Sequence, residues 1–263
     1  MAIKNILVHQ DQTKNCETRL RLAVSIAREH GAHLKVMFAR GGWRESIQDS
    51  VKEAKEEYAR LIKDNVSSEW IEADAYDPKK NLIDQMLWHA RHSDLMILGQ
   101  YDENDHGYAP ANLVEQLVLT AGRPLLVVPH SWHLAPIGRR IMVAWDRKRE
   151  STRAVNDAIP FLQAAKLVEL VAVTSKVPDP KNKFDRCHDL AKHLSYHGID
   201  AKTNNLIARN IDILNLLLSA ITDGDIDMVV MGAYGHAKIR EMVMGGVTRD
   251  IFKQMPVPVL MSH

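Results

Sequence analysis

The chain has 263 residues, 46% of them hydrophobic and 25% charged, and a formal net charge of +1. Such a length holds one large domain or two modest ones, and the mixture suits a packed globular core. The near-neutral balance provides no overall basic face for DNA or for an anionic membrane surface, so neither nucleic acid nor a membrane is expected as a partner.

The first residues, Met1 to Asp11, give one Lys and then a short apolar run ending in polar side chains. That pattern reads as a strand rather than a signal peptide. Further strands are expected near 33–38, 69–73, 94–98 and 124–128, after a first one near 4–9. The segment from Pro129 to Gly138 has two prolines, a glycine and no periodicity, so it reads as a linker. Beyond it, strands are expected at 140–145, 167–174, 201–207, 227–231 and 257–261, and helices near 151–165, 183–197, 210–222 and 247–255. The strand candidates are nearly continuous apolar runs, as in Leu167 to Val173, the signature of strands covered on both faces. The helix candidates space their apolar residues, as in Ile211, Leu214, Leu217, Leu218 and Ile221. Even the longest apolar stretch, Leu214 to Ile221, is far shorter than the ~20 residues a membrane span requires.

The two halves repeat each other. Ile3 to Asp11 is echoed by Arg139 to Asp146, Asp94 to Tyr101 by Asp227 to Tyr234, and Pro124 to Val128 by Pro258 to Met261. The offsets are about 135, 133 and 134 residues, and three echoes in one order indicate duplication. The expected domains are 1–129 and 139–263, each alternating strand and helix around a parallel sheet. Ligands of such sheets bind outside the carboxyl ends of the strands, where the strand order reverses. That rule points to Asp146, to the residues after Val173 and to the loop after Met231.

This loop runs Gly232-Ala233-Tyr234-Gly235, then nine residues, then Gly245-Gly246-Val247-Thr248 at the opening of a helix. Glycines let the backbone approach an anion, and a helix amino end offers it free N–H groups and a positive dipole. Thr248 adds a hydroxyl donor. The spacing resembles the ATP-binding signature of the universal stress protein family, and the resemblance extends over almost the whole chain, once per half. It implies two tandem Rossmann-like domains of the adenine nucleotide α-hydrolase-like type, each a five-stranded parallel sheet flanked by helices. It also implies ATP, with magnesium, as the ligand of the second half, AMP or ADP being alternatives. Carried over residue by residue, Ala144, Trp145 and Asp146 border the nucleoside. Val173 meets the base through its backbone. Met231, Gly232, Tyr234, Gly235, Gly245, Gly246, Val247 and Thr248 line the ribose and phosphates.

Two departures stand out. Gly246 occupies a position where the family usually has Ser or Thr, and Arg147-Lys148 follow Asp146 where Gly-Ser is common. In the first half Gly99 aligns with Gly232, but Asp102 replaces Gly235 and Ala111-Asn112 replace the later glycine pair. The loop Tyr101 to Asp105 carries three carboxylates, which repel phosphate, so this half is not expected to hold nucleotide in the same way. Asp11 then reads as a structural remnant. Asp146 is either a ligand contact or a helix cap. Tyr234 and His236 either touch the ligand or support the loop.

Thirteen histidines invite metal readings, and His89/His92 and His193/His197 have helical spacing. No third ligand is placed beside either pair, so no metal is expected; Cys187 beside His188 is the remaining candidate. Cys16 and Cys187 show no CxxC pattern and suit a reducing cytosol. The reading that follows is a cytoplasmic, stress-responsive regulatory protein with an adenine nucleotide in its second half and an unidentified protein partner. The duplicated halves take the place of a family homodimer, and the tandem chain is compatible with a further homodimer. The alternative is an interaction scaffold of the same fold without nucleotide. No residue presents itself as a dedicated general base, so slow ATP hydrolysis is the most that is expected of it as an enzyme.

Overall fold

The computed structural model describes residues 2–38, 47–62, 66–73, 81–105, 109–174, 185–209, 212–234, 251 and 254–263. Two compact units divide the chain, Ala2–Leu134 and Ala135–His263.

The first unit runs β1 (Asn5–Gln10), α1 (Cys16–His30), β2 (His33–Phe38), α2 (Ile47–Leu61), β3 (Ser68–Glu72), α3 (Leu82–Ala90), β4 (Leu95–Gly99), α4 (Leu113–Thr120) and β5 (Leu125–Val128). The second runs β6 (Arg140–Ala144), α5 (Arg149–Ala164), β7 (Leu167–Thr174), α6 (His188–Ser195), β8 (Ala201–Ile207), α7 (Ile213–Asp223), β9 (Met228–Gly232) and β10 (Val259–Ser262). Each strand falls within a residue or two of its sequence expectation. Most of the expected helix at 247–255 lies outside the described residues; residues 251 and 254 are helical.

Within the first unit, neighbouring strands follow the order β3-β2-β1-β4-β5; within the second, β8-β7-β6-β9-β10. All these pairings are parallel. The two units therefore share one topology, with the order reversing at β1 and at β6. Central strands carry the continuous apolar runs because helices cover both faces: Ile6, Leu7, Leu95, Met96, Ile97, Leu125 and Leu126 have no exposed surface. The edge strand β8 keeps a polar sequence, AKTNNLI, as a strand with one open side can. Among the described residues, no helix is long and apolar enough to cross a membrane.

The repeat extends to a single carboxylate. Asp94 stands just before β4 and accepts from the backbone N–H of Lys4 at 2.8 Å and Asn5 at 3.0 Å. Asp227 stands just before β9 and accepts from Gly138 at 2.8 Å, from Arg139 and from Arg140 at 3.1 Å. The backbone N–H of each Asp in turn donates across to Asn5 or to Arg140. Each carboxylate thus pins the start of the central strand to its neighbour and sets their register. Burial pushes the Asp227 carboxyl up, while the N–H groups of Arg140, Arg139 and Gly138 pull it down.

Replacing Asp227 by Ala removes the acceptor for three backbone donors and is expected to destabilise the second unit by about 1–3 kcal/mol. Asp94→Ala is expected to cost the first unit less, because the Lys4 end is exposed. Urea denaturation midpoints of the two variants measure the difference.

Candidate functional site

In the second unit, the carboxyl ends of β6 and β9 lie side by side, with Ala144 in register with Met231. Trp145 continues from β6, donating its N–H to Val171 at 2.8 Å, and β7 carries Val173 two residues further on. The structure therefore gathers Ala144, Trp145, Asp146, Val173, Met231, Gly232 and Tyr234 around one end of the sheet. Gly235, Gly245, Gly246, Val247 and Thr248 lie outside the described residues, as does His236.

Gly232 has a steric reason to be glycine. A Cβ there would fall 2.4 Å from the backbone nitrogen of Ser151 and 2.6 Å from the carbonyl carbon of Glu150. The end of β9 thus presses directly on the first turn of α5. Its partner segment is tightly organised too. Lys148 N–H donates to Asp146 Oδ1 at 3.0 Å and to Ser151 Oγ at 3.2 Å; Ser151 Oγ and Thr152 Oγ1 both donate to the Lys148 carbonyl. Asp146 consequently closes the turn into α5, and its Oδ2 sits 3.4 Å from Lys148 Nζ with the side chain 51% exposed. Arg147, between them, holds φ at +68°, and Tyr234 holds +61°. These left-handed conformations cost non-glycine residues about 1–2 kcal/mol each. The pattern explains why glycine suits the position that Arg147 fills here.

The equivalent end of the first unit uses the same local turn in a different setting. Asp11 Oδ1 accepts from Thr13 N–H at 3.0 Å and from Thr13 Oγ1 at 2.6 Å. Its side chain is 6% exposed, however, and Oδ2 is 2.7 Å from Nη2 of Arg19. Arg19 projects from α1 beneath the sheet's carboxyl end, where its Nε donates to the His9 carbonyl at 2.8 Å. It fills the room that Gly99 leaves: a Cβ at Gly99 would lie 2.2 Å from Arg19 Nη1. Burial would raise the Asp11 pKa, but the Arg19 charge, then His9 and the bonds from Thr13 and Arg19, outweigh it and hold the carboxyl at about 2. Asp11 is a structural group, locked to a buried cation.

Around this ion pair lies a cavity of about 220 Å³ at the ends of β1, β4 and β5. The sequence reading missed Arg19, although a signal existed. Arg19 interrupts the apolar stripe of α1 formed by Cys16, Leu20, Ala23 and Ala27, so a cation was placed on the buried face of the helix.

The remaining candidates separate. Cys16 and Cys187 are free and buried, and burial pushes their thiols up to about 12 and about 11. Both are thus far from the reactive thiolate form at neutral pH. Cys187 is buried while its neighbour His188 is exposed. The His193 and His197 rings are 4.9 Å apart, yet no group of three or more metal-binding side chains occurs among the described residues.

Two parallel sheets with a reversal beside the first strand, glycine at the end of the fourth and a polar turn after the first, define a tandem Rossmann-like α/β protein. The sequence model of the universal stress protein family matches residues 138–263. Universal stress protein Slr1230 of Synechocystis is 24% identical over 175 residues, a match covering 64% of this chain and 57% of that protein's length. A universal stress protein from Archaeoglobus fulgidus superposes with a TM-score of 0.73 at 15% identity, covering 98% of this chain and 97% of its own. A functionally unknown protein from Pseudomonas aeruginosa PAO1 gives 0.63 at 15% identity, covering 98% and 92%. Residues 138–263 are thus a universal stress protein domain, and the whole chain has the fold of a universal stress protein.

Two outcomes follow from this geometry. The folded pKa of Asp11 lies below its ordinary value of 3.8, so the stability it confers is present above that value and lost as pH falls through about 2. The amount is about 2 kcal/mol. In Asp11→Asn this part of the acid dependence should vanish, and stability at neutral pH should fall by about 3–5 kcal/mol because Arg19 stays buried without its carboxylate. Denaturant titrations between pH 5 and pH 2 test both. Gly232→Ala forces a methyl group against the α5 backbone and is expected to cost about 1–3 kcal/mol, read as a lower Tm.

Proposed function

We propose that this protein is a stress-responsive regulator that binds an adenine nucleotide, ATP with magnesium foremost, in its second unit. The observation that carries the reading is the contact of Gly232 with the first turn of α5 beside the end of β6. It brings the start of the glycine-rich segment, the exposed Asp146 and a helix amino end to one crevice at the strand-order reversal. Ala144, Trp145, Asp146 and Val173 would border the nucleoside. Met231, Gly232, Tyr234, Gly235, Gly245, Gly246, Val247 and Thr248 would line the ribose and phosphates. Glycine at 246 forgoes one hydroxyl contact, worth about 1.5–3 kcal/mol to a charged group, and keeps the backbone N–H. The first unit would serve as a structural or partner-binding domain in the cytoplasm.

A scaffold without nucleotide is the second reading. Its support is that the first unit has already replaced the phosphate-binding pattern with Asp102 and Asp105 at the same sheet end.

Calorimetric titration of the nucleotide-stripped protein with ATP and magnesium separates the two, alongside Gly235→Asp, which copies the first unit's loop. Near one site per chain, lost in the variant, is the expected result. Absence of heat and of any thermal shift would favour the scaffold.

A further inference from the structure

The two histidine pairs with helical spacing have no part in nucleotide binding as proposed above, and the structure treats them differently. His92 tilts against Trp88, with ring centres 6.3 Å apart, and its Nδ1 is 3.1 Å from the Trp88 carbonyl oxygen. The Lys35 charge acts on half-buried His89 and opposes a second cation there. His193 and His197 instead present their rings to solvent and to each other, with centres 4.9 Å apart and planes at 64°.

That separation is one a shared ion requires. A transition metal bound at about 2.0–2.1 Å to one nitrogen of each ring stands about 3.2 Å from each ring centre, so imidazoles at about 90–110° around it have centres about 4.5–5.2 Å apart. The ring centre lies near the Cβ–Cγ axis. Turning the soft χ2 torsion therefore redirects the nitrogens and leaves the centres almost in place. The backbone beneath is held. Where α6 ends, Tyr196 N–H donates to the His193 carbonyl at 3.2 Å and His197 N–H to that of Leu194 at 2.9 Å. Leu194 and Ile199 bury the turn in the core, and Gln163 Nε2 of α5 donates to the His197 carbonyl at 3.0 Å. A pair positioned in this way loses less freedom on chelation than two unconstrained side chains. Asp189, exposed one turn before His193 on the same helix face, offsets the charge of the neighbouring Lys192.

We propose that His193 and His197 form a surface site for a late divalent transition metal, Cu²⁺ foremost, with Zn²⁺ and Ni²⁺ weaker. Imidazole nitrogen suits these ions and Cu²⁺ heads their affinity order, whereas Mg²⁺ and Ca²⁺ demand oxygen ligands. A resident zinc takes three or four protein ligands. Two imidazoles completed by water make an exchangeable site, whose remaining positions accept a donor from outside the protein. The site stands just before β8, which runs parallel to β7. It therefore lies at the amino end of the strands, opposite the crevice proposed for nucleotide and its magnesium.

Heteronuclear NMR of the tag-free, nucleotide-stripped full chain tests the proposal with CuCl2, ZnCl2 and MgCl2 as probes. Substoichiometric CuCl2 should broaden the amides of residues 192–198 before those around His89 and His92. ZnCl2 should shift the same amides with one-site saturation, and MgCl2 should leave them in place. His193→Ala and His197→Ala should each weaken Zn²⁺ binding about tenfold or more, because the second imidazole acts as an intramolecular ligand. The double variant should lose little beyond either single one. Without metal all variants should keep the Tm of the unmodified protein, and ZnCl2 should raise the Tm of the unmodified protein alone. Broadening that begins elsewhere, or Zn²⁺ affinity that either single variant leaves unchanged, overturns the proposal. With no nucleotide present, the result is independent of whether ATP binds the second unit.

Discussion

Both units depend on a reversal of strand order beside their first strand. From β1 the chain moves outward to β2 and β3, and then returns to lay β4 on the other flank. Crossovers on the two sides of such a reversal diverge, and the sheet is left with a crevice at its carboxyl end. Backbone ladders cannot be shifted by a residue without exposing an apolar face, and the Asp94 and Asp227 carboxylates anchor the register at the opposite end of the same strands. The location of the crevice is therefore set by the sheet, whereas its chemistry is set by the few residues that follow the strands.

Those residues diverge sharply between the repeats. After β6 the aspartate side chain stays half in water, closes its turn and lies beside a lysine ammonium. After β1 the aspartate makes the same turn but lies buried against a guanidinium drawn from α1. The fourth strand ends in glycine in both cases for unlike reasons. Gly232 makes room for the backbone of α5, and Gly99 makes room for the end of Arg19. Duplication preserved the scaffold while the interior of the first crevice was rebuilt around an ion pair.

Much of this was legible in the sequence. Continuous apolar runs announced the buried parallel strands, and the repeat announced two units of one topology, because both follow from burial on two sheet faces. Asp94 and Asp227 were visible as echoes, but their role needed the spatial approach of segments almost ninety residues apart. Arg19 was hidden because a charged residue within a helix is ordinarily read as its solvated side; only its position on the apolar stripe marked it. The steric role of Gly232 could not be read at all, since a phosphate loop and a close strand–helix contact both ask for glycine. The turn after Asp146 was seen as a departure from the family, and its left-handed Arg147 gives that departure a physical meaning.

The two fourth-strand glycines also face different evolutionary histories. At position 99 the obstacle to a larger residue is the tip of one side chain, so a change there becomes tolerable once position 19 has shortened, together with its partner at 11. The order of events matters: the same pair of substitutions is passable from one direction and blocked from the other. At position 232 the obstacle is main chain, which no substitution elsewhere can shorten. One glycine is thus held by a negotiable neighbour and the other by the architecture itself. Of two copies that began alike, the first is free to drift along correlated paths that the second does not have.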